Sequence, residues 1–286
     1  MGTFLDGGSI PPTSSNHRKT HLVRPRHQTK WDFLNTPTNS AKLTPSLKNF
    51  ENFPEILLHY GPDCAIMAPM HTTRFQKSVK DPALFTVLKP GSNNKKLGFK
   101  ITSPKWKGKK LYSLTLVERE TCPTSCHHWD DCYGNNMPFA HRFSTIGLLH
   151  KLDREIQELT DKHAEGIVIR LHVLGDFMTV DYVEFWEKML FDFPTLSLFG
   201  YTGREETSDI GKALWLLNTR YNDRCKIRFS KNKAFSEGHY PSNLFAAEES
   251  FEGKCFDCPE QKGTLPSCAQ CGLCWSVPKT VRFATH

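Results

Sequence analysis

IVIRLHVLGD, residues Ile167 to Asp176, decides the fold. The run is short, apolar and β-branched and ends in Gly-Asp, so it reads as a buried strand followed by a turn. Alternate side chains of a strand share a face, which predicts Ile167, Ile169, Leu171 and Val173 on one side and Arg170 and His172 on the other. The same signature recurs in LYSLTLVE (Leu111 to Glu118), LSLFGYT (Leu196 to Thr202) and CKIRFS (Cys225 to Ser230). Amphipathic stretches lie between them. Phe143, Ile146, Leu149, Leu152, Ile156 and Leu159 recur at steps of three and four, predicting a helix over His141 to His163. Asp181 to Phe191 puts Val183, Trp186 and Leu190 on one face. Asp209 can cap a further helix to Arg220, with Ile210, Leu214 and Leu217 inward. Strands alternating with helices mean βαβ units, hence an α/β fold whose parallel sheet forms a partial (β/α) barrel.

In such sheets ligands bind at the C-terminal strand ends. Those ends supply Glu118, His172, Asp176, Tyr201, Arg204, Arg228 and Ser230. Among them His172, Asp176 and Arg204 are the candidate catalytic residues. No nucleophile elbow, P-loop or dinucleotide fingerprint is present.

Ten cysteines without an export signal point to metal rather than to disulfides. Cys64 and Cys225 stand alone and read as packing residues. Cys122, Cys126 and Cys132 are spaced C-x3-C-x5-C in the loop after a strand. Three thiolates can hold a [4Fe–4S] cluster with one open iron, or zinc with His127 or His128 as fourth ligand. The second group, Cys255, Cys258, Cys268, Cys271 and Cys274, offers one thiol more than a closed site needs. Paired C-x2-C knuckles suit zinc or a second iron–sulfur cluster equally, and which thiol is left over stays open.

The formal charge of +7 is uneven. Residues 1–121 hold 19 Lys+Arg against 8 Asp+Glu, whereas 122–286 hold 18 against 22. The densest piece, Lys89 to Lys110, has eight lysines, no acid, and the rings of Phe99 and Trp106. Lys95, Lys96, Lys100, Lys105, Trp106, Lys107, Lys109 and Lys110 are therefore candidates for contacting nucleic acid, with a solvated lysine face as the bland alternative. Residues 1–47, rich in Ser, Thr, Pro and Asn without periodicity, read as a disordered basic arm. Residues 48–110 read as short strands with the Lys-rich segment, 111–240 as the βα core, and 241–286 as a cysteine-rich metal-binding segment. No run is long and apolar enough to span a membrane, Asp6 spoils a myristoylation signal after Gly2, and no signal peptide is visible. A cytoplasmic protein is expected.

On particular residues the sequence resembles the phage "gene product 88" family. These are the cysteine loop from Cys122 to Tyr133, Gly175-Asp176-Phe177, Tyr182, Trp186, Tyr201, Thr202 and Arg204, and the closing Cys271 to Trp275. The likeness covers roughly residues 111–275 and implies residence in the host cytoplasm. More distantly the chain is similar to radical S-adenosylmethionine enzymes, which join a partial barrel to a three-cysteine loop after the first strand. That resemblance implies Cys122, Cys126 and Cys132 as cluster ligands. It places Gly175 and Asp176 where the methionine amino group of S-adenosylmethionine is received.

Three functions compete. The first is an iron–sulfur enzyme that cleaves S-adenosylmethionine and acts on a nucleic-acid component. The second is a zinc-stabilised nucleic-acid-binding protein without catalysis. The third is a metal-dependent hydrolase or transferase with His172 and Asp176 as base and orienting group.

Overall fold

The computed structural model describes residues 73–231, 245–248, 254–277 and 279–284. The expected arm (1–47) and Cys64 lie outside them. In chain order the strands are β1 (Val79–Lys80), β2 (Lys89–Pro90), β3 (Lys110–Ser113), β4 (Arg142–Phe143), β5 (Ile167–Leu171) and β6 (Leu196–Thr202). They continue as β7 (Cys225–Lys231), β8 (Phe245–Glu248), β9 (Cys255–Asp257) and β10 (Thr280–Phe283). The helices are α1 (Glu118–Thr121), α2 (Leu148–Lys162), α3 (Val180–Asp192), α4 (Asp209–Arg220), α5 (Cys268–Cys271) and α6 (Leu273–Ser276).

Eight strands form one sheet in the order β2-β3-β5-β6-β7-β8-β10-β9, while β1 and β4 pair apart. Only β2 runs antiparallel to its neighbour. From β3 to β8 the strands lie side by side in chain order, and crossovers of one hand then lay every connecting helix on the same face. One apolar cluster records this: Ile167, Ile169, Leu171, Leu198 and Ile227 of the sheet pack against Leu152 and Ile156 of α2, Trp186 and Leu190 of α3, and Leu214 of α4. Among the described residues nothing pairs with the outer sides of β2 and β9, so the expected barrel is realised as an open, mostly parallel sheet.

The opposite face is covered by the C-terminal segment. Leu111, Val168, Phe199 and Val281 meet Leu97, Ile101, Ala269, Cys274 and Trp275 there, and Trp106 stacks on Trp275 with ring centroids 5.4 Å apart. Arg228, buried in β7, holds this layer down by donating to the carbonyls of Cys274 (2.7 Å), Phe245 (3.0 Å), Lys279 (3.0 Å) and Val277 (3.2 Å). A strand-end residue expected at the ligand face is thus a structural tie.

Three local expectations need correction. The helix expected from His141 is α2 and begins at Leu148, because Gly147 sits in the left-handed conformation (φ 72°) and 142–143 pair as β4; Ile146 is 84% exposed. The strand expected from Leu111 to Glu118 stops at Ser113, and Glu118 opens α1. The N-cap of α4 is Ser208, whose hydroxyl accepts from the Gly211 N–H at 3.0 Å, one residue before the expected Asp209.

Candidate functional site

The loop carrying Cys122, Cys126 and Cys132 leaves the C-terminal end of β3 through α1 and closes on a 3-10 turn at Tyr133–Asn136. Its ends are held by a buried ion pair. Arg142 Nε donates to Glu118 Oε2 at 2.8 Å, both side chains being almost wholly buried, and Thr73 Oγ1 donates to Glu118 Oε1 at 2.7 Å. The rest of the guanidinium donates to Ser78 Oγ (3.0 Å) and to the carbonyls of Met137 (2.9 Å), Ala140 (3.0 Å) and Gly134 (2.9 Å). Burial alone would raise the Glu118 pKa, but the hydrogen bonds from Arg142 and Thr73 outweigh it and hold the carboxyl below its usual range. Sequence reasoning flagged Glu118 and missed Arg142, which lies among residues with no periodic pattern.

Below the loop, β5 ends at Leu171 and the chain turns through Gly175, whose φ of 83° favours glycine. A Cβ at Gly175 would stand 2.6 Å from both Leu116 Cβ and Thr121 Oγ1. The strand end therefore packs directly on the segment that leads into Cys122. Thr121 Oγ1 also accepts from the Asp176 N–H at 3.1 Å. Asp176 is buried; its Oδ1 accepts from the Phe177 N–H and its Oδ2 from the Gly203 N–H, each at 2.7 Å. Burial pushes the Asp176 carboxyl up to about 6 against the pull of Thr202, of these amides and of Arg204. Arg204, after β6, donates from Nε to the Phe177 carbonyl and from Nη2 to the Thr121 carbonyl, both at 2.7 Å. It fastens the ends of β3, β5 and β6 together. A Cβ on Gly203 would lie 3.5 Å from Asp176 Oδ2 and 3.9 Å from Cys126 Sγ, so the carboxylate and the cysteine loop meet over this glycine.

The three thiols share this corner. Burial raises the pKa of Cys122 strongly, and Asp176, Cys126 and Cys132 raise it further while Arg204 opposes them. Burial also raises Cys126 and Cys132, but the N–H of the residue two further on, His128 and Gly134 respectively, donates to each sulfur and favours the thiolate. Burial thus favours the protonated thiols; a bound cation would displace those protons, and soft thiolates suit iron or zinc. In donor chemistry the residues fit a thiolate-bound centre. Among the described residues, however, no three His, Cys, Asp or Glu side chains already have their donor atoms gathered as round an ion.

His172 is placed differently from the expectation that it points with Arg170. Beyond Leu171 strand alternation ends, and the imidazole turns to the helical layer, where Nε2 and the Tyr182 hydroxyl hydrogen-bond at 2.9 Å and Phe177 packs edge-on. Burial and then Arg170 lower its pKa to about 3, so it stays neutral at ordinary pH. Arg170 itself lies over the rings of Tyr201 (4.4 Å) and Phe199 on the other face.

The basic segment is divided. Lys95, Lys96, Lys100 and Lys107 are exposed, Lys96 pairing with Glu260 at 3.8 Å. Lys109 Nζ donates at 2.8 Å to the Thr195 carbonyl and to Ser197 Oγ, and burial lowers its pKa to about 8. Burial lowers Lys105 too, and its Nζ reaches the Asn222 carbonyl at 3.5 Å. Lys110 lies over the Phe99 ring. Trp106 is held by its stack on Trp275 and by Nε1 donating to the Asp223 carbonyl at 2.9 Å. The five C-terminal cysteines are far apart in sequence from the first loop: Cys255 sits in β9 of the sheet, while Cys268 and Cys274 belong to the layer that covers the opposite sheet face.

A sequential parallel sheet with a three-cysteine loop and a buried aspartate at its C-terminal edge defines the class of architecture. By sequence, the chain is similar to the Gene 88 protein of Mycobacterium phage D29, 28% identical over 190 residues that make up 60% of this chain and 75% of that protein. It is 25% identical over 190 residues to the Gene 88 protein of Mycobacterium phage L5, with the same coverage. These distant likenesses support the resemblance to the phage gene 88 family. No family model and no solved structure matches the chain, and the comparisons give no likeness to radical S-adenosylmethionine enzymes. Among the described residues no helix is long and apolar enough to cross a membrane.

Proposed function

We propose that the chain is an iron–sulfur enzyme of the radical S-adenosylmethionine kind that acts on a nucleic acid or nucleotide. One observation carries the reading: the loop bearing Cys122, Cys126 and Cys132 packs on the buried Asp176 at the C-terminal ends of β3, β5 and β6, with Cys126 Sγ and Asp176 Oδ2 both beside Gly203. Cys122, Cys126 and Cys132 would hold the cluster, which when bound supplies an electron to the sulfonium cofactor. The amides of Phe177 and Gly203 fix the orientation of Asp176. Arg204 positions the loop by gripping the Thr121 carbonyl, one residue before Cys122. Exposed Lys95, Lys96, Lys100 and Lys107 would attract a polyanionic substrate.

The test is iron, sulfide and zinc analysis of anaerobically purified protein with its visible spectrum, followed by an assay for reductive cleavage of S-adenosylmethionine. A brown protein that loses iron on Cys122→Ala, Cys126→Ala or Cys132→Ala and cleaves the cofactor supports the reading. A colourless, zinc-only protein rejects it in favour of a zinc-stabilised nucleic-acid-binding protein. That second reading is favoured by the engagement of both Asp176 oxygens and of Arg204 within the chain itself.

A further inference from the structure

A second set of thiols lies in the C-terminal layer. Cys258, Cys268, Cys271 and Cys274 line one small cavity together with Glu260, Gly272, Leu273 and Trp275. Its volume, about 10 Å³, is room for one water-sized sphere. Cys255 does not line it; that residue sits in β9, paired with Thr280 of β10. The four come from two places in the chain. Cys258 ends the β9 connection, its N–H donating to the Arg282 carbonyl at 2.9 Å, and the other three lie on α5 and α6 either side of Gly272. Gly272 is left-handed (φ 66°), and a Cβ there would come within 2.6 Å of the Ser103 side chain, so the turn between the helices is closed down upon the covering layer.

We propose that Cys258, Cys268, Cys271 and Cys274 form a closed, tetrahedral site for a single thiophilic divalent cation, Zn²⁺ by its chemistry, and that Cys255 is not a ligand. The ligand set is all sulfur, which selects zinc over the hard cations. All four side chains line the cavity, but among the described residues no three donors are drawn together as round an ion, so binding requires the thiols to converge. Burial raises the Cys271 and Cys274 thiols, the latter to about 11, while the Leu273 N–H donating to the Cys271 sulfur and the Tyr201 hydroxyl donating to the Cys274 sulfur pull the other way. The site would staple the covering layer to itself: the Cys268 and Ala269 N–H groups donate to the Lys96 and Leu97 carbonyls at 2.8 and 2.9 Å, and Arg228 grips the Cys274 carbonyl. Binding releases the thiol protons to solvent, with no change of oxidation state.

This inference does not depend on the proposed function, because it uses none of the first-loop residues. The experiment uses the full chain with Cys122, Cys126 and Cys132 all changed to Ser, so that retained metal reports on the C-terminal group alone. The expected result is about one zinc per chain, lost in Cys258→Ser, Cys268→Ser, Cys271→Ser or Cys274→Ser and kept in Cys255→Ser. Replacement by Co²⁺ should give the intense visible bands of a tetrahedral thiolate site. The unsubstituted protein provides a check free of folding defects: alkylation with mass-spectrometric mapping should mark Cys255 and spare the other four until a chelator is added. Iron with sulfide in the triple-Ser background, equal metal loss in Cys255→Ser, or prompt alkylation of all five thiols in untreated protein would overturn the proposal.

Discussion

At His172 the folded chain withholds a proton that the unfolded chain takes up. With a pKa lowered from 6.5 to about 3, the native imidazole stays neutral while the unfolded one charges below pH 6.5. Stability from this group is therefore fully present above pH 6.5 and falls as pH drops toward 3, by roughly 1.4 kcal/mol per unit. Urea unfolding at pH 5 and pH 7 checks this, since His172→Gln should flatten the difference; an unchanged pH dependence would show that other groups set it. Glu118 and Arg142 pose the opposite case, a buried charge pair in which either partner alone is costly. Arg142→Leu should destabilise by about 3 to 5 kcal/mol, and Glu118→Leu added to it should recover part of that loss. A denaturant series on both variants would decide, and strictly additive losses would count against the pair.

Among the elements, α4 shows how a boundary is set by a side chain rather than by hydrophobic period. Ser208→Ala removes the acceptor for the Gly211 N–H and should cost about 1 kcal/mol, whereas Asp209→Ala should cost less, because only its attraction to the helix dipole is lost. Thermal unfolding of the two variants ranks them. The β5 turn is more demanding. Gly175→Ala combines a positive φ with a Cβ driven into Leu116 and Thr121, so the element must shift away from the cysteine loop. If the proposed cluster is held by Cys122, Cys126 and Cys132, the expected outcome is a lower iron content in this variant, with unchanged iron counting against the proposed function.

For the molecule as a whole, the charge imbalance predicts electrostatic binding to a polyanion. The lysines exposed to do this are Lys95, Lys100 and Lys107, with Lys96 exposed but paired with Glu260, whereas Lys105 and Lys109 donate to backbone carbonyls. Changing those four to Gln should weaken binding to a labelled oligonucleotide and flatten its salt dependence, while Lys109→Gln should act on stability instead. Identical salt slopes for wild type and the four-lysine variant would leave a solvated lysine face as the better account. Trp106 is also committed to the fold, so Trp106→Ala is expected to lower stability by loosening the layer over Trp275.

The parallel sheet and its helices were legible because burial imposes a period on each segment: β6 (Leu196–Thr202) and α4 (Asp209–Arg220) lie where alternation and the three-and-four spacing put them. The cysteine loop and Gly175-Asp176 were legible as well, from local spacing and from the rule that strand ends carry ligands. Local pattern does not carry long-range pairing. Only the tertiary structure joined Arg142 to Glu118 across 24 residues, turned His172 into the helical layer once β5 ended, and drew Lys105, Trp106 and Lys109 into the fold. It also separated Cys255 from the four thiols around one cavity, because β9 belongs to the sheet and Cys258 faces α5 and α6. Such partners are set by which surfaces the packed layers bring together, a quantity that no window of neighbouring residues contains.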